Sequence, residues 1–151
     1  VKVALGCDHA GYALKELVSS CLSAGGHEVS DQGTYTEESC DYPDFAEKVA
    51  RAVARGDAER GILICATGIG MAMAANKLPG IRAAVCNDLY TARFSRLHND
   101  ANLLALGARV VGPGLAEEIV KTWMGTDFEG GRHSRRVAKI ADMGWRDRGE
   151  S

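Results

Sequence analysis

The chain has 151 residues, 46% of them apolar and 25% charged, values ordinary for one soluble globular domain able to bury roughly 70% of its unfolded surface. This composition excludes a disordered tail, a collagen and a membrane span, because apolar runs such as Ile62–Ala66 are far too short to cross a bilayer. Eighteen Lys and Arg against twenty Asp and Glu leave a net charge of −2, which argues against a general nucleic-acid partner.

Short apolar runs, Gly-rich turns and helical stretches alternate along the chain. Lys2–Gly6 reads as a strand rather than a signal peptide, having no basic segment followed by a long apolar one. Tyr12–Ala24 reads as a helix with Leu14, Leu17, Val18, Cys21 and Leu22 on one face, ended by Gly25 and Gly26. His27–Ser30 is a short strand, followed by a polar loop from Asp31 to about Asp41. Pro43 suits a first helical position, so a second helix is expected to run to Arg55, with Ala46, Val49, Ala50 and Val53 as its apolar stripe. Gly61–Ala66 is the clearest strand, its unbroken Ile62–Cys65 run suiting a central parallel strand buried on both faces.

Thr67-Gly68-Ile69-Gly70 is a turn and Met71–Lys77 a short helix; Pro79-Gly80 then breaks the chain before a strand at Ile81–Cys86. Asp88–Leu97 is helical, Ala101–Val111 holds one strand or two abutting ones, and Leu115–Met124 is a helix stopped by Gly125. Arg132–Gly144 is the last helix. Strands alternating with helices predict an α/β fold, a parallel sheet covered on both faces. Ligands of such sheets sit at the carboxyl ends of the strands, near a topological switch point. Cys7-Asp8-His9, Cys65–Gly70 and Asn87-Asp88 occupy those strand ends.

The familiar nucleotide loops fail residue by residue. Gly6–Gly11 has the P-loop glycine spacing, but Tyr12 and Ala13 stand where Lys and Ser or Thr would hold phosphate and magnesium. Gly68-Ile69-Gly70 begins like a dinucleotide fingerprint, yet Met73 occupies the third glycine position. The five cysteines, at 7, 21, 40, 65 and 86, form no C-x-x-C pair, and the four histidines no H-E-x-x-H. Neither a disulfide framework nor a metal site is indicated, no cofactor is expected, and a reducing, cytoplasmic setting fits.

Each remaining candidate has both a structural and a chemical reading. Cys65 is either a small core thiol or a nucleophile or base at a strand end. A thiol of ordinary acidity is only a few per cent ionised at neutral pH, and half-ionisation needs roughly 2 kcal/mol. A helix dipole supplies about 0.3–1 kcal/mol, so backbone N–H groups would have to supply the rest, and the Thr67–Gly70 turn offers them. Asp8 is a helix cap or a ligand group and His9 a satisfied polar ring or a ligand group. His98 and Asn99 could simply end a helix, with Asn99 in the left-handed cap position. Arg132 and Arg136 share a helix face, either as solvated charge or as a phosphate clamp.

Several motifs in order resemble one family: Gly6-Cys7-Asp8-His9, Asp41-Tyr42-Pro43, Ile62–Gly70, Ala74-Ala75-Asn76-Lys77, Gly80-Ile81-Arg82-Ala83, His98-Asn99-Asp100-Ala101-Asn102 and Gly130-Gly131-Arg132-His133. Together they resemble the sugar-phosphate isomerase family that ribose-5-phosphate isomerase B shares with galactose-6-phosphate isomerases, over nearly the whole chain. The resemblance implies a single domain over residues 1–151. Its fold would be three-layer, α/β/α and Rossmann-like, with a five-stranded parallel sheet. It also implies a homodimer, or a dimer of dimers, with active sites between protomers and a last helix near 132–144 contributing to them. The reaction implied is cofactor-free interconversion of ribose 5-phosphate and ribulose 5-phosphate. In that resemblance Cys65 is the base that moves a proton between C2 and C1, Thr67 stands beside it among the catalytic positions, and His98 opens the ring. Asp8, His9, Tyr42, Ala66, Gly68, Ile69, Gly70 and Asn99 match substrate-binding positions. Arg109, Arg132, His133 and Arg136 match binding positions too, the arginines near the phosphate. The partner implied is a small sugar phosphate, with neither nucleic acid nor membrane. Allose or galactose 6-phosphate isomerisation, and a non-catalytic sugar-phosphate sensor, are the alternative readings.

The chemistry agrees with the resemblance. An aldose–ketose shift through an enediolate needs one base reaching two adjacent carbons and donors aimed at the developing oxyanion. It also needs a ring-opening group and a clamp on the remote phosphate. Two positions depart from the family pattern: Ala66 stands where Gly is usual, and Ala72 where Ser is frequent. An Ala held at positive φ would cost on the order of 1 kcal/mol; at an ordinary φ its methyl group narrows the pocket instead.

Overall fold

A computed structural model describes residues 1–146. In chain order it contains β1 (Lys2–Cys7), α1 (Tyr12–Ala24), β2 (Glu28–Asp31), α2 (Tyr42–Ala54), β3 (Arg60–Cys65) and α3 (Ile69–Ala75). There follow β4 (Ala83–Val85), α4 (Leu89–Leu97), β5 (Leu103–Gly107), α5 (Pro113–Met124) and α6 (Arg132–Arg146). All strand pairs are parallel, in the order β2-β1-β3-β5-β4. The chain leaves β1 toward β2 and then crosses back to β3 on the other side of β1. The switch point therefore lies between β1 and β3, where Cys7 registers with Ile64.

Two apolar layers sandwich the sheet. Val18 and Leu22 of α1, Ala92 of α4, and Ile119, Val120 and Trp123 of α5 cover one face. Ala46, Val49 and Ala50 of α2 and Met71 and Ala75 of α3 cover the other. The α2 and α3 contacts are dominated by Ala, so these helices lie close to the strands; the opposite layer is filled by larger side chains, with Trp123 fully buried. This is the parallel sheet covered on both faces that the strand–helix alternation predicts, in the three-layer α/β/α, Rossmann-like form with five strands that the resemblance implies. Among the described residues no helix is long and apolar enough to cross a membrane.

The differences from the expected elements have local causes. The strand expected at Ile81–Cys86 shortens to Ala83–Val85, because Arg82 is held instead by the loop before β5: its N–H donates to Asn102 Oδ1 at 2.8 Å and its Nε to Asp100 O at 2.9 Å. The 101–111 segment forms one strand, since Val110 and Val111 turn back through N–H bonds to Gly107 O. On α1, Lys15 is buried among the apolar positions. Its ammonium donates to Asp31 at 3.0 Å and to Thr34 O at 2.5 Å, which satisfies the buried charge and fixes the loop beyond β2 against α1. No charge pattern within α1 announces that pairing.

Candidate active site

The carboxyl ends of β1, β3 and β5 and the start of α2 gather the first group of predicted residues. Asp8 is buried just past β1, and its Oδ1 accepts from the N–H groups of Ala10 and Gly11 at 2.9 and 3.1 Å. The carboxylate thus caps the turn that leads into α1. His9 is half-buried; its Nδ1 accepts from the Cys40 N–H at 3.2 Å, which places the ring proton of neutral His9 on Nε2. Tyr42 opens α2, and its ring lies over Gly70 so closely that a Cβ there would come within 2.6 Å of it.

Cys65 ends β3 and is 5% exposed. Its carbonyl accepts from the Ala108 N–H at 2.8 Å, and that of Ala66 accepts from the Arg109 N–H at 3.0 Å, so the backbone past β3 is held by the residues just past β5. The chain then reverses at Gly68, at φ 83°, and the Gly68 N–H donates to Cys65 Sγ at 3.1 Å. This is the kind of donor that stabilises a thiolate. Among the described residues only Asp100 has positive φ without being glycine. Ala66 therefore carries no such backbone strain, and its methyl group adds bulk beside the turn. Thr67 Oγ1 accepts from the Ile69 N–H at 3.2 Å. Elsewhere, burial pushes the Cys7 thiol up to about 11 and raises that of Cys86 as well.

The second group lies at the opposite end of the sheet. Because α4 runs antiparallel to the strands, its C-terminal residues fall at their amino ends. His98 caps α4 and stacks on His133 of α6, ring centroids 4.1 Å apart and planes 13° apart. Glu129 Oε2 is 3.8 Å from the Nε2 atoms of both rings. The near-parallel planes do not meet close to a common point, so the two imidazole lone pairs cannot converge on one ion as they stand. His133 is buried with Nε2 unpartnered. That burial, and then the neighbouring His98 and the Arg132 guanidinium, hold its pKa below the usual histidine value, so it stays neutral at neutral pH. Arg96 fixes this end, donating through Nη1 to Asp100 at 2.9 Å and Ala101 O at 2.6 Å, and through Nε to Thr126 O at 3.2 Å. The left-handed residue after α4 is Asp100, at φ 47°, rather than the expected Asn99. Asn99, Arg132 and Arg136 are exposed. A cleft of about 450 Å³ lies between α6, at Ile140 and Ala141, and the segment from Asn76 to Ala84, with Asn99 on its wall.

The strand register measures how far apart the groups are. Gly61 pairs with Leu103 at one end of the sheet and Cys65 with Gly107 at the other. Four residues of strand span about 13 Å, and His98 lies beyond the first pair. One protomer thus brings together Asp8, His9, Tyr42, Cys65, Ala66, Thr67, Gly68, Ile69, Gly70 and the backbone of Arg109. It separately brings together His98, Asn99, Arg132, His133 and Arg136.

Sequence alone gives no sign of Cys40, whose backbone N–H holds His9, or of Glu129, which sits between two histidines. It shows Asn87 at a strand's carboxyl end without giving it a place in the site. Asn87 Nδ2 donates to Thr67 O at 3.2 Å, and its Oδ1 accepts from the Gly107 N–H at 2.8 Å.

Comparison with known proteins agrees with this architecture. The family described as Ribose/Galactose Isomerase matches residues 3–140. The chain is 53% identical over 139 residues to ribose-5-phosphate isomerase B of Escherichia coli (strain K12), covering 92% of this chain and 93% of that one. It is 45% identical to a D-erythrulose-4-phosphate isomerase of Pectobacterium atrosepticum, covering 93% of each. The solved structure of Clostridium thermocellum ribose-5-phosphate isomerase B superposes with a TM-score of 0.96 at 55% identity, over 97% of this chain and 99% of that one. On a match that runs from β1 into α6, with the same sheet beneath it, the chain belongs to the ribose/galactose isomerase family.

Proposed function

We propose that the protein interconverts ribose 5-phosphate and ribulose 5-phosphate, with Cys65 as the base. The observation that carries this reading is the sulfur at the switch point, 3.1 Å from the Gly68 N–H, in a chain whose relatives include named ribose-5-phosphate isomerases. Proton removal from C2 by the thiolate leaves its electron pair in an enediolate. Return of the proton at C1 completes the shift, while the hydroxyl proton moves from O2 to O1. No electrons leave the substrate, so the reaction calls for no redox cofactor. In the Thr67–Gly70 turn the Gly68 N–H serves the sulfur and the Ile69 N–H the Thr67 hydroxyl, which leaves the N–H groups of Thr67 and Gly70 as the donors for the developing oxyanion. Tyr42, Asp8 and His9 line the sugar's side of the site.

The working unit is a homodimer in this proposal. His98 as ring-opening acid/base, Asn99, and the phosphate-binding Arg132 and Arg136 reach the sugar from a second copy, joined by Arg109 beside the turn. Support comes from the two half-sites at opposite ends of one sheet. It comes also from α6, which leaves Ile140 and Met143 49% and 68% exposed, the apolar surface of a helix that packs along a partner. Residues 1–151 act as one domain, with α6 as the arm shared between copies, and the unpaired thiols suit a reducing, cytoplasmic setting.

The test is turnover of purified protein on ribose 5-phosphate beside D-erythrulose 4-phosphate, allose 6-phosphate and galactose 6-phosphate. Ribose 5-phosphate is expected to give the highest kcat/KM. A higher value for the four-carbon or a six-carbon sugar moves the substrate within the same family, and binding without turnover of any of them replaces the enzyme with a sensor.

The phosphate clamp makes a separate prediction. Arg132→Ala and Arg136→Ala are each expected to raise KM for ribose 5-phosphate roughly tenfold or more, the loss of a charged hydrogen bond, with kcat changed less. Kinetics equal to the parent in both would leave this face of α6 as solvated surface.

A further inference from the structure

We propose that Asn87 is a positioning residue that sets the acidity of the Cys65 thiol through a single peptide plane. The proposal rests on the reading of Cys65 as the base and adds the device that tunes it.

The geometry is a short chain of fixed contacts. Past β3, the carbonyls of Cys65 and Ala66 are held by the backbone N–H groups of Ala108 and Arg109. At Thr67 that backbone support ends, and the Asn87 amide takes over, Nδ2 donating to Thr67 O at 3.2 Å. The other end of the same planar amide is fixed, because Oδ1 accepts from the Gly107 N–H at 2.8 Å. A flipped amide would set NH2 against N–H and oxygen against carbonyl, so this orientation is the only one that satisfies both ends. In a trans peptide the carbonyl and the following N–H point in opposite directions within one rigid plane. Holding Thr67 O on one side therefore aims the Gly68 N–H on the other, and its target is Cys65 Sγ at 3.1 Å. The end of β5 closes on the same turn: a Cβ on Gly107 would come within 2.8 Å of Thr67 O.

The role needs a side chain because β4 stops at Val85, at the edge of the sheet. Among the described residues no strand continues far enough to pair with Thr67, and Asn87 is the first residue past Cys86 able both to donate and to accept. Without it the Thr67–Gly68 plane is free to rotate about its flanking bonds, and Gly68 is the residue type that resists such rotation least. On the elements adjoining the end of β3, the charged and titratable residues nearest in register are Asp8 and His9 past β1 and Arg109 past β5, with Tyr42 at the start of α2. All remain in an Asn87 variant, so a change in thiol acidity isolates the lost N–H contact.

The experiment compares the parent with Asn87→Ala and with Asn87→Leu, which keeps the side chain's volume if the smaller residue unfolds the chain. Alkylation of Cys65 by iodoacetamide is followed against pH, read on the Cys65 peptide by mass spectrometry so that the other four thiols do not contribute. The expected result is a midpoint raised by about one pH unit and reaction at neutral pH roughly tenfold slower. With ribose 5-phosphate, kcat falls by a similar factor, the acidic limb of its pH profile moves up with the thiol, and KM changes less than about twofold. An unchanged midpoint in either folded variant overturns the proposal and makes Asn87 a purely structural strap. Because alkylation needs no substrate, a raised midpoint with unaltered turnover upholds the positioning role and overturns Cys65 as the base.

Discussion

Replacing Cys65 by Ala is expected to lower kcat on ribose 5-phosphate by about a thousandfold, within the range a positioned general base contributes, while KM stays within a few-fold. The sulfur is the only group at the end of β3 that can change protonation, and it sits where the register with β5 and the turn at Gly68 converge. The neighbouring thiols cannot substitute. Cys7 has no comparable N–H aimed at it in its own turn: its Sγ lies 3.9 Å from the Thr34 carbonyl, an acceptor, and burial pushes it up to about 11. Cys65→Ser separates charge from shape, since it keeps an acceptor for the Gly68 N–H but offers an alcohol that is not ionised near neutral pH. Both variants are expected to remain folded. The loss is one small side chain and, in the Ala variant, one N–H without its acceptor, a cost of about 1–3 kcal/mol. Steady-state kinetics beside thermal unfolding of the same samples provides the check. An Ala variant that isomerises as fast as the parent removes Cys65 from the chemistry.

Two inactive variants are expected to restore one another. Cys65→Ala and His98→Gln each disable every site of their own homodimer. If a site takes Cys65 from one copy and His98 from the other, a mixed dimer carries one site with both defects and one site with neither. With random pairing, coexpression should recover about a quarter of the parent's activity per protein, a consequence of two-fold symmetry. If each site were built within one chain, every site in the mixture would hold exactly one defect and nothing would return. The strand register favours the first outcome: roughly 13 Å of β3 separates the two ends, and the core layers on both faces close any path through the sheet. The measurement is turnover of coexpressed, differently tagged chains, before and after purification through both tags, which removes the homodimers and should raise the recovery to about half; activity no higher than that of the separate variants would rule out a shared site.

Parts of this site were legible because they depend on local signals. An Ile62–Cys65 run bounded by a Gly-rich turn suits a buried strand meeting a reversal, so the sulfur's place at a strand end comes from the sequence. The pairing of Lys15 with Asp31 and Thr34 O was not legible. It joins α1 to the far end of β2, and nothing in the spacing of either segment encodes the other. Asn87 was visible only as a polar residue after a strand. Its partners, Thr67 and Gly107, are both twenty residues away in sequence, on opposite sides of it. The acceptor role of His9 toward the Cys40 N–H likewise needed the loop from Asp31 to Asp41 to be placed in space.

The amino-acid order by itself determined the alternation of strands and helices, the parallel sheet, and the residues at each strand's end. Apolar periodicity and glycine punctuation act over a few residues and survive in any fold that uses them. Only the tertiary structure decided that β5 inserts between β3 and β4. Strand order is fixed by packing across the whole sheet, not by any one segment. That insertion brings Gly107 and Asn87 to the Thr67 turn, and the antiparallel run of α4 carries His98 to the opposite end of the strands, so the two groups of candidate residues lie at opposite ends of one sheet.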